Sequence, residues 1–292
     1  MTTVPTLDLK ADDSVCNTMK IKLGLVGNGF VGGAALQLEC DDNEIRMFDL
    51  DEEKCVPLGT KLEDVAVCDI ILVAVPTPQN PNGTCHTGIL EEAINSLKAI
   101  NPSANIVIRS TVPPGTSKMF GTHFMPEFLT EKNSSQDFVD SSLWVLGHNT
   151  ELDEFHLDTV IDNAYKAGKI KSNEMVKMTT SEAEMVKYVK NCFLGLKVSF
   201  FNEVYDTCNK YDCDFELVRS TSTEDSRVGV SHSFVPGPDG KKGFGGHCFP
   251  KDLASWCTWA ENPLIVAAAV ERNTTIDRPE KDWEADKGRA VV

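Results

Sequence analysis

Near the far end of the chain, Gly243-Phe244-Gly245-Gly246-His247-Cys248-Phe249-Pro250-Lys251-Asp252 sets a cysteine, a lysine and an aspartate behind three glycines. Glycines at 243, 245 and 246 let a backbone bend tightly and approach a ligand where a side chain would clash. Residues 253–261 read as a helix, which puts Cys248 just before a helix N-terminus. There the helix dipole and Lys251 favour the thiolate, the nucleophilic form of cysteine. A bare cysteine among ten would carry no such message; the combination of residue types does.

Other polar residues suit the same kind of chemistry. In Met125-Pro126-Glu127-Phe128-Leu129-Thr130-Glu131 two carboxylates stand four apart in an apolar frame, the spacing of one helix face. Lys187 and Asn191 are also four apart. They lie on residues 180–212, the longest helical pattern in the chain, which Ser181 and Glu184 open as a capping box. Its apolar positions, from Met185 and Val189 through Phe193 and Phe200 to Val204, cover more than one stripe. Such a helix is buried on several sides, between domains or subunits. Thr111 sits in Ser110-Thr111-Val112-Pro113-Pro114-Gly115-Thr116, where a threonine before prolines is by itself a turn residue.

The elements that hold these residues start at 21–26, a short apolar run read as a buried parallel strand. It runs into Gly27-Asn28-Gly29-Phe30-Val31-Gly32, and residues 34–39 continue as a helix. Gly27 permits the tight turn, Gly29 lets a pyrophosphate approach the backbone, and Gly32 lets helix and strand pack closely. A second strand at 44–48 ends in Asp49, an acid placed to bond ribose hydroxyls and repel the extra phosphate of NADP, so the cofactor expected is NAD. A third strand, 69–75, ends at Val75-Pro76-Thr77, and a fourth at 105–109 ends beside Thr111. Ligands of open parallel sheets sit beyond such strand ends. A helix at 90–100, strands at 143–147 and 173–179, and helices at 151–167, 214–222 and 262–276 complete the reading.

A chain of 292 residues suits two modest domains. They are expected at 20–179, binding NAD, and at 180–276, a helical unit for catalysis and dimerisation, with a loose tail at 1–19 and a polar, frayed one at 277–292. Met19-Lys20 would serve as an alternative beginning. No run is long enough to cross a membrane, and the start is unlike a signal peptide. No Cys-x-x-Cys spacing occurs among the cysteines, so neither a zinc site nor a disulfide framework is expected, and a reducing cytosolic setting is. A formal charge of −16 argues against nucleic acid as a partner. An anionic ligand would therefore need a local positive cluster, for which Arg227, Lys241, Lys242 and Lys251 flank the cysteine loop and Lys132 follows the paired acids.

In this order, these pieces resemble the nucleotide-sugar 6-dehydrogenases, nearest the UDP-glucose branch, over residues 20–276. The carriers are Gly27 to Gly32, the Ser110–Thr116 turn, Pro126 to Glu131, the run from Glu182 to Lys187 with Asn191, and above all Gly243 to Asp252. The resemblance implies a Rossmann-type, doubly wound parallel sheet followed by a long central helix and a small helical domain. It also implies NAD-dependent, four-electron oxidation of a sugar C6 alcohol; the apolar faces of the long helix add the expectation of a homodimer, in the cytoplasmic setting that the cysteines suggest.

Carried onto this chain, the resemblance makes Cys248 the nucleophile that forms a thiohemiacetal and then a thioester. Lys187 and Asn191 stabilise the C6 oxyanion, Asp252 and Thr111 hold a water near it, and Glu127 or Glu131 is the base for hydrolysis. NAD falls to Gly27, Asn28, Gly29, Phe30, Val31, Gly32, Asp49, Val75, Pro76, Thr77 and Thr111. Substrate falls to Phe128, Leu129, Lys187, Asn191, Phe244, Gly245 and Lys251, and to Arg227 reaching into a neighbouring subunit. No metal is implied. The chain departs from the pattern in three ways: it stops one helix past the cysteine loop, so the grip of the family's further domain on the nucleotide is missing or comes from another chain. The stretch from Asp49 to Asp69 is short. His247 stands where serine is common. Two other readings are a two-electron 3-hydroxyacid-type dehydrogenase, which needs no Cys248, and a relic that binds NAD without turnover.

Overall fold

The computed structural model describes residues 20–149 and 156–292; the expectations for residues 1–19 and for the first residues of the 151–167 helix lie outside these. Seven strands form one sheet: β1 (Ile21–Val26), β2 (Asn43–Phe48), β3 (Ile70–Val73), β4 (Ile106–Ile108), β5 (His123–Phe124), β6 (Trp144–His148) and β7 (Met175–Thr179). Their order is β2-β1-β3-β4-β5-β6-β7. All neighbours are parallel except β5 and β6, which meet antiparallel. The sheet is thus mostly rather than wholly parallel.

Ten α-helices are described: α1 (Phe30–Ala34), α2 (Leu62–Ala66), α3 (Gly88–Ile100), α4 (Thr116–Phe120), α5 (Ser134–Val139), α6 (Leu157–Lys166), α7 (Thr180–Lys210), α8 (Phe215–Thr223), α9 (Phe249–Trp259) and α10 (Leu264–Arg272). Helix α1 starts inside the glycine fingerprint, earlier than the expected 34–39, and continues as a 3-10 turn through Leu38.

Side chains alternate across the strands, as their period of two requires. Leu23, Leu25, Ile70, Leu72 and Val107 enter one core cluster; Ile71, Val73, Ile106 and Ile108 enter another on the opposite face. With both faces covered, β3 and β4 at the centre of the sheet read as unbroken apolar runs, whereas β2 alternates buried and half-buried residues. A third cluster joins Tyr188, Cys192, Phe244, Leu253, Val266 and Ala269, packing α7, α9 and α10 around the base of the cysteine loop. Gly195 lets α7 pack tightly on α9: a Cβ there would lie 2.8 Å from a Leu253 methyl.

Two expectations at the helical end are corrected. The capping box of α7 is Thr179 with Glu182, whose carboxylate accepts the Thr179 N–H at 2.8 Å, rather than Ser181 with Glu184. Glu184 is wholly buried and accepts the N–H groups of Gly115 (2.5 Å) and Ser117 (2.7 Å). It ties the turn after Thr111 to the helix that carries Lys187. Residues 277–292, expected to be frayed, are packed: Trp283, Ala290 and Arg278 are buried. The Gln79 N–H donates to Ala290 O, and the Val292 N–H to Gln79 O. Polarity suggested a tail, but a few buried apolar groups and ion pairs are enough to hold it.

Candidate active site

Cys248 caps the N-terminus of α9, with Pro250 in the first turn where its missing N–H costs nothing. The loop before it is built from outside: the Gly243 N–H donates to Asn202 Oδ1 and the Phe244 N–H to Asn273 Oδ1. Phe244 is buried, and a Cβ on Gly245 would fall 1.9 Å from Arg278 Nη1. Sequence reading missed Asn202, Asn273 and Arg278; their signal was polar residues inside otherwise packed helices or at helix ends.

Around Cys248 stand four charged residues. Lys187 and Glu127 form a buried pair, Nζ to Oε1 at 2.6 Å, and Nζ also donates to Glu127 O at 2.7 Å. Asp252 is buried and accepts from Asn191 Nδ2 at 2.6 Å and from Lys251 Nζ at 2.5 Å. One turn apart on α7, Lys187 and Asn191 each hold a different carboxylate. The charges of Lys187, Asp252, Glu127 and Lys251 all act on the Cys248 thiol.

Electrostatics correct the expected thiolate. Burial pushes Cys248 up to about 11; Lys187 and Lys251 pull it down, Asp252 and Glu127 push it up, and burial wins. Burial also works against the Lys251 ammonium, but Asp252 beside it holds its value above the ordinary one, so much of this cation's field is spent on its neighbour. Burial presses the Glu127 carboxyl up as well. Lys187, the Leu129 N–H and Arg109 outweigh that and leave it below its ordinary value. Near neutral pH the free site thus holds a protonated thiol beside an ionised carboxylate.

The paired acids separate. Glu127 is buried on Lys187; Glu131 is exposed and meets His247 and Arg289. Phe128 lies under Lys190, whose Nζ is 3.4 Å from the ring centroid, with Lys187 at 5.8 Å; the Leu129 N–H donates to Glu127 Oε2. Arg227 is engaged by Asp225 on the surface of its own turn. The expected positive cluster is neutralised: Lys241 pairs with Asp282, Lys242 with Asp206 and Lys251 with Asp252. Arg109, which sequence reading passed over, is buried behind Glu127, its guanidinium 5.6 Å over Phe138.

The strand ends supply the other half of the cleft. Thr77 Oγ1 donates to Thr111 O at 2.9 Å, and Ser110 Oγ to Val75 O at 2.6 Å, tying the turns after β3 and β4 together. Asp49, just past β2, accepts the Asn28 N–H at 2.7 Å. Gly27 has φ +93°, a Cβ on Gly32 would fall 1.8 Å from Gly27 O, and a Cβ on Gly29 would meet nothing within 4 Å. Tight turn, close packing and open approach are the three glycine roles in dinucleotide binding, and these residues fit NAD. Phe30 and Val31 open α1 against that turn, while Pro76 is exposed at the rim.

Two family models match the chain: "UDP-glucose/GDP-mannose dehydrogenase family, NAD binding domain" over residues 56–167, and the same family's central domain over residues 181–276. The chain belongs to the UDP-glucose/GDP-mannose dehydrogenase family. Among curated relatives, the UDP-glucose 6-dehydrogenase of Campylobacter jejuni is 28% identical, over 80% of this chain and 66% of its own length. That of Rickettsia prowazekii is 31% identical, over 68% of this chain and 46% of its own. The chain spans about half to two thirds of the length of the curated relatives it matches. In fold it resembles a UDP-glucose dehydrogenase from Pyrobaculum islandicum (TM-score 0.73, 24% identity, 88% of this chain and 69% of that one). A 3-hydroxyisobutyrate dehydrogenase from Mycobacterium tuberculosis shares the fold over 94% of this chain and 97% of its own (TM-score 0.66, 14% identity). The family's NAD-binding domain makes NAD the cofactor of this fold. No described helix is long and apolar enough to cross a membrane.

Proposed function

We propose that the chain oxidises the C6 alcohol of a nucleotide sugar, UDP-glucose foremost, to the carboxylic acid by two successive oxidations. The observation that carries this reading is that Lys187, paired with Glu127, and Asp252, bonded to Asn191, both act on Cys248. NAD⁺ held by the glycine fingerprint and Asp49 would supply the hydride acceptor, one molecule for each oxidation with exchange between them. After the first oxidation, Cys248 Sγ bonds to the C6 aldehyde carbon as the thiol proton passes to the C6 oxygen, giving a thiohemiacetal. The second oxidation leaves a thioester, and water then releases the acid and the free thiol. Lys187 and Asn191 are donors on one face of α7 and stabilise the C6 oxyanion. Asp252 orients Asn191 and Lys251, and with Thr111 holds a water near that oxygen. Phe128, Leu129 and Gly245 are assigned to the sugar in this reading, while Phe244 is buried under the loop against the helical core.

Of the two candidate bases, Glu127 is favoured, being ionised and buried beside Lys187 while Glu131 is engaged at the surface. Glu127→Gln is expected to slow thioester hydrolysis by about 10²–10⁴-fold. Mass spectrometry of the quenched reaction should then find the sugar acyl group on the Cys248 peptide. A variant that is slow without accumulating the adduct would remove Glu127 from the role.

We further propose a homodimer formed through α7, on which Val189, Phe193 and Phe200 are each more than half exposed. Apolar groups aligned on one long helix mark an interaction surface. A monomer by light scattering at micromolar concentration would contradict it.

A further inference from the structure

A loop with glycines at 243, 245 and 246 has little side-chain bulk with which to fix its own shape, yet it has to aim a nucleophile. Gly246 is exposed, and both it and Gly243 have positive φ (+72° and +66°). The stiffening comes from elsewhere in the chain. The His247 ring lies between two carboxylates from separate segments: Nδ1 is 3.0 Å from Glu131 Oε2, and Nε2 meets Asp286 Oδ2. Arg289 Nη2 closes the circuit, donating to Glu131 Oε1 at 2.9 Å and lying with Nη1 4.0 Å from Asp286 Oδ2. Four side chains of alternating character thus join the substrate loop, the cysteine loop and residues 282–292.

The segment carrying Asp286 and Arg289 is itself held at both ends. Upstream, Arg278 bonds Asp239 and lies 3.5 Å from Asp282, Lys241 bonds Asp282 at 2.8 Å, and Trp283 is buried. Downstream, Ala290 and Val292 pair through their backbones with Gln79, two residues past the Thr77 that borders the cofactor cleft. Arg278, the upstream anchor, also packs on Gly245, so the segment bears on the cysteine loop directly at His247 and through its anchor at Gly245.

We propose that residues 282–292 are a strap that positions the Cys248 loop, with His247 as the positioning residue and Asp286, Arg289 and Glu131 as its clasp. His247 stands where the family pattern commonly has serine, and the strap gives it two partners that a serine side chain is too short to reach together. The inference rests on Cys248 being the nucleophile, but its structural half is read without turnover. Single surface ion pairs hold little, whereas a closed network spanning three segments restrains their relative motion.

The test uses the whole chain, with an Asp286→Ala/Arg289→Ala double variant and a separate His247→Ser variant. Alkylation of Cys248 by iodoacetamide at pH 8 is followed by peptide mass spectrometry. Loosening the loop is expected to raise the rate at Cys248 by about fivefold or more in both variants, with Cys192 in the α7 core unchanged as a control for global unfolding. With UDP-glucose and NAD⁺, kcat should fall while KM for NAD⁺ stays the same. Cys248 alkylation within twofold of wild type in both variants would overturn the proposal whatever the turnover. A rise at Cys192 equal to that at Cys248 would also overturn it, by showing that the strap serves stability alone.

Discussion

Lys187→Met is expected to destabilise the fold by about 3–5 kcal/mol and to slow oxidation by roughly 10²–10³-fold. The first effect follows from burial. Lys187 and Glu127 are 4% and 5% exposed in their side chains and 2.6 Å apart, so removing the ammonium leaves a carboxylate sealed from water. Arg109 and the Leu129 N–H compensate it only in part. The second effect follows from the loss of a cation where the C6 oxygen gains charge. Adding Glu127→Leu separates them, because replacing both members of a buried pair is far less costly than replacing one. The double variant should recover most of the urea midpoint and none of the activity. Equal stability for single and double variants would show that the pair is not energetically coupled.

The same pair sets a pH dependence. The folded Glu127 carboxyl lies below its ordinary value of 4.5, so its contribution to stability is complete above about pH 4.5 and drains away as pH falls through the lower folded value. In the Lys187→Met protein burial is expected to raise that carboxyl instead, and stability should then improve as pH falls from the raised value to about 4.5.

Cys248→Ala is expected to abolish acid formation, on the order of the 10⁶-fold loss met when a catalytic nucleophile is removed. Folding should survive, since Cys248 is a half-buried helix cap that makes no side-chain capping bond. The first oxidation needs Lys187, Asn191 and bound NAD⁺ but no sulfur, so the variant should stop at the aldehyde level. A two-electron hydroxyacid-type enzyme would lose little, and the two readings part at this residue. Because the thiol lies at about 11 in the free site, the substrate aldehyde has to be present and a proton acceptor in reach before sulfur attacks. The C6 oxygen, which Lys187 and Asn191 face in this reading, is that acceptor.

How far the chain could be read from sequence differs by element. β1, the glycine fingerprint and the place of Asp49 after β2 were legible because a buried parallel strand is a mainly apolar run and each glycine has its own steric task. Lys187 with Asn191, and Cys248 before α9, were legible because helical spacing fixes which residues share a face. β5 was not: two residues inside a longer apolar stretch carry no period of their own. Glu184 was misread as a cap because its partners, Gly115 and Ser117, lie far away in sequence. The strap was misread because ion pairs between distant segments leave no local pattern. The Cys248 thiolate was misjudged for a related reason, since a helix N-terminus and a lysine are visible in sequence while burial and the Asp252 that claims Lys251 are properties of the fold.

The central claim is that one site carries out both oxidations through Cys248. Counting NADH formed per UDP-glucose consumed, with NAD⁺ in excess, tests it most directly. The account predicts two for the wild-type protein and no more than one for Cys248→Ala. One NADH per sugar from the wild-type protein, or two from the variant, would contradict it.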